Sequence, residues 1–288
     1  MLTVKSRKWS FLIVLLVYLA AGVIGIGVYL AVSDLPLYLA LLIADVAATV
    51  FVFLFSLLFG NASVYDPYWS VQPPVILTAL AIAKGTLPSL GSVLLLVAVW
   101  YWAIRLTANW GYTFHGLTHQ DWRYTMLFET TGRLYPFVNL CGIHMFPTLV
   151  VYACVLPAAY AICEGREANA VTVLGVALSL LAATLQLVAD IEMQSFRSQR
   201  TGGFIRVGLW RYARHPNYLG EILMWWGIAI ASLSLLPADR FYLVAGALIN
   251  TLMFLFISIP MADRRQRRKE GYDAYRAATR NLFPIPKK

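Results

Sequence analysis

Long apolar stretches alternate with polar breaks along this chain. The stretches fall at 9–32, 37–59, 71–83, 89–104, 137–162, 170–189, 218–236 and 241–260. About 20 apolar residues make one helical crossing of a bilayer. Lipid offers backbone N–H and C=O groups no partner, so a spanning segment must satisfy them within its own helix. The pattern predicts an all-α fold, a polytopic transmembrane helical bundle with eight spans. The stretch 71–83 is short and carries Pro73-Pro74 near its start. If it is only the far half of a broken helix, the count is seven. The first stretch follows Lys5, Arg7 and Lys8, as a signal peptide would, and Ala31-Val32-Ser33 is a passable cleavage site. Its apolar run exceeds the usual core of about 7–15 residues, so it reads as a true first helix. Residues 1–60 form an N-terminal helix pair, and 61–288 form a larger transmembrane unit with polar loops and a tail.

The breaks are asymmetric. Those at 33–36, 84–88, 164–169 and 237–240 are short. Those at 60–70, 105–136 and 190–216, and the tail from 261, are long and chemically rich. All but Lys84, Arg166 and Arg240 of the 23 Lys and Arg lie in the long breaks or, as Lys5, Arg7 and Lys8, before the first stretch. The positive-inside rule makes that side cytoplasmic, and with eight spans both termini share it. Composition agrees with a membrane protein: 60% of residues are hydrophobic and 13% charged, where soluble domains carry roughly 25%. The net charge of +9 then reflects topology and attraction to anionic lipid headgroups. No soluble basic domain exists to bind nucleic acid. Cys141, Cys154 and Cys163 lack C-x-x-C spacing, so neither a disulfide framework nor a metal site is expected. Nothing in the chain points to an obligate protein partner.

Five polar clusters sit where the apolar stretches end. Gln186, Asp190, Gln194 and Arg197 follow helical spacing and share one face, fit to hold hydroxyls and amides while the Arg grips a phosphate. Arg206, Arg211, Arg214 and His215 gather positive charge, and guanidinium forks match phosphate oxygens two at a time. Pro216 suits the first turn of a helix, with Asn217, Tyr218 and Glu221 on its opening turns. Asp66 and Tyr68 stand at a membrane boundary, where a desolvated carboxyl keeps its proton more readily. Trp100, Tyr101 and Trp102 precede Arg105 and Asn109, which are four apart, and Asp121-Trp122-Arg123-Tyr124 follows. Trp100 and Trp102 also fit an interfacial aromatic belt. In the tail, Tyr272 and Tyr275 lie three apart before Phe283-Pro284, as in a segment folded back on the protein.

Arg-His-Pro-Asn-Tyr-x-Gly-Glu at 214–221, preceded by Gly-Leu-Trp-Arg-Tyr at 208–212, resembles the steroid 5α-reductase superfamily. The likeness is greatest to its bacterial branch, long catalogued as a domain of unknown function. Asp190 with Arg197, Asp66-Pro-Tyr-Trp-Ser, Asp121-Trp-Arg-Tyr and the Tyr272/Tyr275/Pro284 tail resemble that branch in order and spacing, over roughly 60–286. The resemblance implies an inner-membrane enzyme that binds NADPH from the cytoplasm. It implies hydride transfer to a carbon–carbon double bond conjugated to a carbonyl, in a steroid-like or lipid-like substrate. Carried over by position, Gln186, Asp190 and Arg197 would hold the adenosine and phosphate half. Arg206, Asn217 and Glu221 would also bind the cofactor, the last two near the nicotinamide. Arg214, His215 and Tyr218 belong to the same motif, and Arg105, Asn109, Asp121, Arg123, Tyr272 and Tyr275 join the cofactor set. Asp66 falls where the steroid reductases place a Glu, and Tyr101 or Trp102 near their paired Tyr, with Tyr68 as a substitute. In those enzymes that pair hydrogen-bonds the substrate carbonyl, which implies catalytic roles for Asp66, Tyr101 and Tyr68. The Arg-His-Pro run is also found in isoprenylcysteine carboxyl methyltransferases. An S-adenosylmethionine-dependent membrane methyltransferase is therefore the alternative, and a non-enzymatic lipid-binding protein is a third.

Overall fold

A computed structural model describes residues 2–199 and 202–287. Every predicted apolar stretch is helical over most of its length, and no strand occurs among the described residues. The long helices are α1 (Arg7–Ala31), α2 (Leu37–Phe59), α3 (Tyr68–Ala83) and α4 (Leu90–Thr113). Short α5 (Trp122–Thr131) and α6 (Tyr135–Val138) lead into α7 (Phe146–Glu164). Then come α8 (Ala170–Ser198), α9 (Pro216–Leu233), α10 (Ala245–Met253), α11 (Ile259–Gln266) and α12 (Tyr272–Ala278). The chain is a multi-pass helical membrane protein. Six helical runs are long and apolar enough to cross a bilayer: 7–31, 37–59, 90–113, 122–164, 170–198 and 238–266. Helix α3, with 16 residues, is short for a crossing, and α9 begins with the polar turns around Asn217 and Glu221.

Two differences from the sequence reading matter for function. The stretch 105–136 is not simply a loop. Helix α4 runs on to Thr113, keeping Arg105 and Asn109 on a span, and α5 starts where the Asp121 carboxylate accepts from the Arg123 backbone N–H at 2.9 Å. The run 122–164 and the run 238–266 each contain a π-helical stretch, Asn139–Met145 and Phe254–Ser258. Each stretch lies just before a proline, Pro147 or Pro260. A proline lacks the N–H that residue i−4 needs and crowds its carbonyl, so the wider turn relieves a clash at Ile143 or Phe256.

The core is built around Trp102, Trp225, Leu77, Leu95, Ile162 and Ile228, from α3, α4, α7 and α9. Helix α1 exposes Leu15, Leu16, Leu19 and Val23 on its outer side, the apolar face a lipid-facing helix needs. Helices α8 and α9 make the closest pair. A Cβ on Gly175 would sit 2.6 Å from the Ala231 nitrogen, and one on Gly227 would sit 2.6 Å from the Gly175 oxygen. Small residues let backbones in a membrane approach this far. That seam presses Gln186 of α8 against Gly220 and Glu221 of α9.

Candidate functional site

Glu221 is buried, and its carboxylate is a meeting point of three helices. Oε2 accepts from Trp102 Nε1 at 2.9 Å and from Gln186 Nε2 at 2.6 Å. Oε1 accepts from Trp225 Nε1 at 2.9 Å. Arg105 lies in the same buried cluster, with Nη2 3.9 Å from Glu221 Oε2. Arg105 Nη1 donates to Asp190 Oδ2 at 2.9 Å, and Nη2 donates to Gln186 Oε1. Arg105 Nε has no partner. A turn outward, Gln194 Nε2 donates to Asn109 Oδ1 at 3.2 Å. Gln186, Asp190, Glu221 and Arg105, singled out separately in sequence, thus form one connected polar path between α4, α8 and α9, and Asn109 with Gln194 makes a separate pair beyond it. Buried charges that are paired and bonded in this way hold their geometry firmly.

Where α8 ends, the charge is positive. The Lys269 ammonium is held below its usual range, first by partial burial and then by the neighbouring charges of Arg265 and Arg197. The Arg206 guanidinium lies 4.2 Å from the Phe204 ring centre and near Gly271, where a Cβ would meet its Nη2 at 3.0 Å. Among the described residues, the side chains of Arg197, Arg206 and Asn217 have no hydrogen-bond or ion-pair partner. The carboxylate whose charge reaches Arg265 is that of Asp121, which is already paired to Arg123, so positive charge is in excess and favours an anion.

The run 208–217 has a second job. Asp263, at the end of the last span, accepts from Tyr272 at 2.5 Å and pairs with His215 Nε2 at 3.0 Å and Arg214 Nε at 3.5 Å. Arg214 also donates to the Thr279 carbonyl at 3.0 Å and to Asn281 Oδ1 at 3.1 Å. Ala213 bridges to Arg280 in parallel fashion. Tyr275 donates to the Trp210 carbonyl at 2.5 Å, and burial pushes its phenol up to about 12. Arg214, His215, Tyr272 and Tyr275 therefore clasp the tail to the loop. Tyr218 stacks on His215 at 5.1 Å with the rings nearly parallel.

A third cluster surrounds Asp66. Its Oδ1 accepts from the Tyr124 hydroxyl at 2.6 Å. Arg123 is paired to Asp121 at 2.8 Å, and the Asp121 backbone N–H donates to Ser63 Oγ at 2.9 Å. Asn61 donates to the carbonyls of Leu117 and His119 at 2.7 and 3.0 Å, lacing loop 60–66 to loop 117–121. Burial pushes the Asp66 carboxyl up to about 6, against the pull of Arg123 and of the Tyr124 hydrogen bond. Tyr101 is not part of this group; its hydroxyl pairs with Thr184 at 3.0 Å on α8. Tyr68 is buried with its ring 5.4 Å from Tyr18 and 5.7 Å from Tyr65. The hydroxyl next to Asp66 is Tyr124, present in the 121–124 motif but given no role from sequence. Asp263, Trp102 and Trp225 were also missed as bonding partners. The one available signal was Asp263 itself, a lone acid before a run of arginines.

A multi-pass bundle with a buried charged path and a basic rim is the class these features define. Residues 52–279 match the family described as Protein of unknown function (DUF1295), and the chain belongs to that family. The chain is 28% identical over 164 residues to the Uncharacterized protein C594.04c of Schizosaccharomyces pombe, a match covering 47% of this chain and 47% of that protein. The chain thus spans about half the length of the curated relative it matches. No solved structure matches.

Proposed function

We propose that this protein is an NADPH-dependent reductase of the steroid 5α-reductase type, acting on the carbonyl-conjugated double bond of a steroid-like or lipid-like substrate from the cytoplasmic side of the inner membrane. The observation that carries the reading is the positive cluster of Arg197, Arg265 and Lys269 at the end of the same helix that holds Gln186 and Asp190. A phosphorylated ligand supplies the missing negative charge, and an extended ligand reaches from there to the polar residues of α9.

The residues present fit such a group. Arg197 and Arg206 are free to take phosphate oxygens. Asn217 offers both a donor and an acceptor to a carboxamide. Glu221 is already engaged by two indoles and one amide, so it positions Gln186 and Arg105 rather than holding the ligand itself. NADPH, when bound, supplies the hydride. The chain supplies the proton side: with its pKa near 6, Asp66 can keep a proton close to neutral pH, and Tyr124 fixes the carboxyl's orientation. A protonated Asp66 can donate to a substrate carbonyl and stabilise the negative charge that develops there.

Purified protein in detergent provides the test. A ligand that binds only the native state raises stability by about 2.7 kcal/mol at a hundred times its Kd. NADPH is expected to raise the melting temperature, and S-adenosylmethionine to leave it unchanged. The reverse pattern would favour a methyltransferase and sink the reductase reading.

A further inference from the structure

Helices α1, α2 and α3 enclose a cavity of about 170 Å³. An engineered apolar cavity of about 150 Å³ takes up one benzene ring, so the space suits a small ring or the end of a hydrocarbon chain. Its walls include Ile26, Leu30 and Val75, whose residues are 48%, 65% and 37% exposed on the outer surface of the bundle. The cavity therefore reaches the lipid-facing side.

Tyr18, Tyr29, Asp45, Tyr68 and Gln72 bring polar atoms to this otherwise oily wall. The Tyr18 hydroxyl is bonded to the Val64 carbonyl at 2.6 Å, and Asp45 and Gln72 are the two with a fully buried atom that lacks a partner. Asp45 of α2 is 3% exposed, and neither of its carboxylate oxygens has a hydrogen-bond partner. Gln72 of α3 is buried too, and its Nε2 donor is unpartnered. An ionisable side chain inside a membrane is costly and marks a functional position by default. Asp45 bonds no other side chain, so it does not serve as structural glue. It also precedes residue 52, outside the stretch that matches the family.

We infer that this cavity binds a membrane lipid bearing a hydroxyl group, which donates to an Asp45 oxygen and accepts from Gln72 Nε2. The donor inventory selects that class. A hydrocarbon leaves both groups unsatisfied. A ketone or ester accepts from Gln72 and from a neutral Asp45 but leaves the Asp45 carbonyl oxygen without a donor. An ammonium donates to Asp45 and has no acceptor for Gln72. A hydroxyl both donates and accepts. The tail of the lipid leaves past Ile26, Leu30 and Val75 into the bilayer. The site stands apart from the NADPH reading and holds whether or not hydride is transferred.

The test uses the full-length chain in phosphatidylcholine nanodiscs and a diazirine-bearing hexadecanol as photolabel. Label is expected on peptides of α1–α3. Unlabelled hexadecanol should displace it about tenfold better than hexadecyl methyl ether, because the ether has no donor and leaves a buried acceptor of Asp45 unsatisfied. Gly22→Leu fills the cavity from α1, where an added Cβ meets nothing within 4 Å, and should abolish labelling. Asp45→Leu should lower labelling about tenfold while leaving the melting temperature of the lipid-free protein equal or higher, since it removes an unsatisfied buried group. Equal competition by the ether, or undiminished labelling of both variants, overturns the assignment. NADPH stabilisation measured on the same variants is expected to stay as in the parent, which keeps this outcome separate from the cofactor question.

Discussion

The side-chain amide of Gln186 donates to Glu221 Oε2 at 2.6 Å across the seam between α8 and α9. The bond exists because Gly220 has no side chain. A Cβ there would stand 2.4 Å from Gln186 Cγ and 2.6 Å from the Ala182 carbonyl oxygen. Gly220→Ala is therefore expected to destabilise the bundle by about 1–3 kcal/mol through overpacking. Thermal unfolding in detergent reads this directly. An unchanged melting temperature would show that the seam is looser than described.

Glu221→Gln puts an amide where two indole N–H groups and the Gln186 amide donate. It also leaves Asp190 as the one carboxylate paired with buried Arg105. Removing one partner of a buried charge pair costs about 3–5 kcal/mol, and the isosteric change should cost less. The variant is expected to melt lower and to lose most of its stabilisation by NADPH. Arg197→Ala, at the exposed end of α8, is expected to lose the stabilisation without the lower melting point. Normal NADPH response in both variants would remove the cofactor assignment.

The folded state binds the Asp66 proton more tightly than the unfolded chain, because the pKa rises to about 6 from an ordinary value of about 3.9. As pH climbs from about 4 to about 6, the unfolded chain loses this proton first, so the contribution of Asp66 to stability falls across that window and is flat above it. The effect is worth at most about 3 kcal/mol. Asp66→Asn is expected to flatten the pH dependence of melting between those limits. With a true substrate identified, the same change should lower turnover. Turnover equal to the parent's would rule out a proton-donating role for Asp66.

Asp263 holds the tail through Tyr272, His215 and Arg214. Asp263→Asn leaves Arg214 without its nearest carboxylate and weakens the clasp. Limited trypsin digestion is expected to cut faster around 264–276, with the bundle from α1 to α10 remaining whole. A cleavage rate matching the parent would mean that the backbone bridge between Ala213 and Arg280 suffices by itself.

Much of this molecule was legible in its sequence, for identifiable reasons. Helical spacing alone puts Gln186, Asp190, Gln194 and Arg197 on one face, and α8 carries them so. The apolar stretches had to be helices because lipid allows little else. Pairings between helices were not legible. Trp102 read as part of an aromatic belt, yet it is fully buried and donates to Glu221. That depends on how α4 and α9 cross, which no single helix encodes. The resemblance implies Tyr101 or Trp102 of α4, or Tyr68, as the partner of Asp66, but the lacing of loop 60–66 to loop 117–121 brings Tyr124 instead. The helix in 122–131 escaped notice because it is short and has no continuous apolar stripe.

The glycine contacts between α8 and α9 have a mechanical consequence. With backbones this close, neither helix can slide or rotate without collision, so the pair behaves as one stiff beam. Any movement that admits a bulky molecule must come from parts the beam does not brace. Those include the outer helix α1 and the clasped tail.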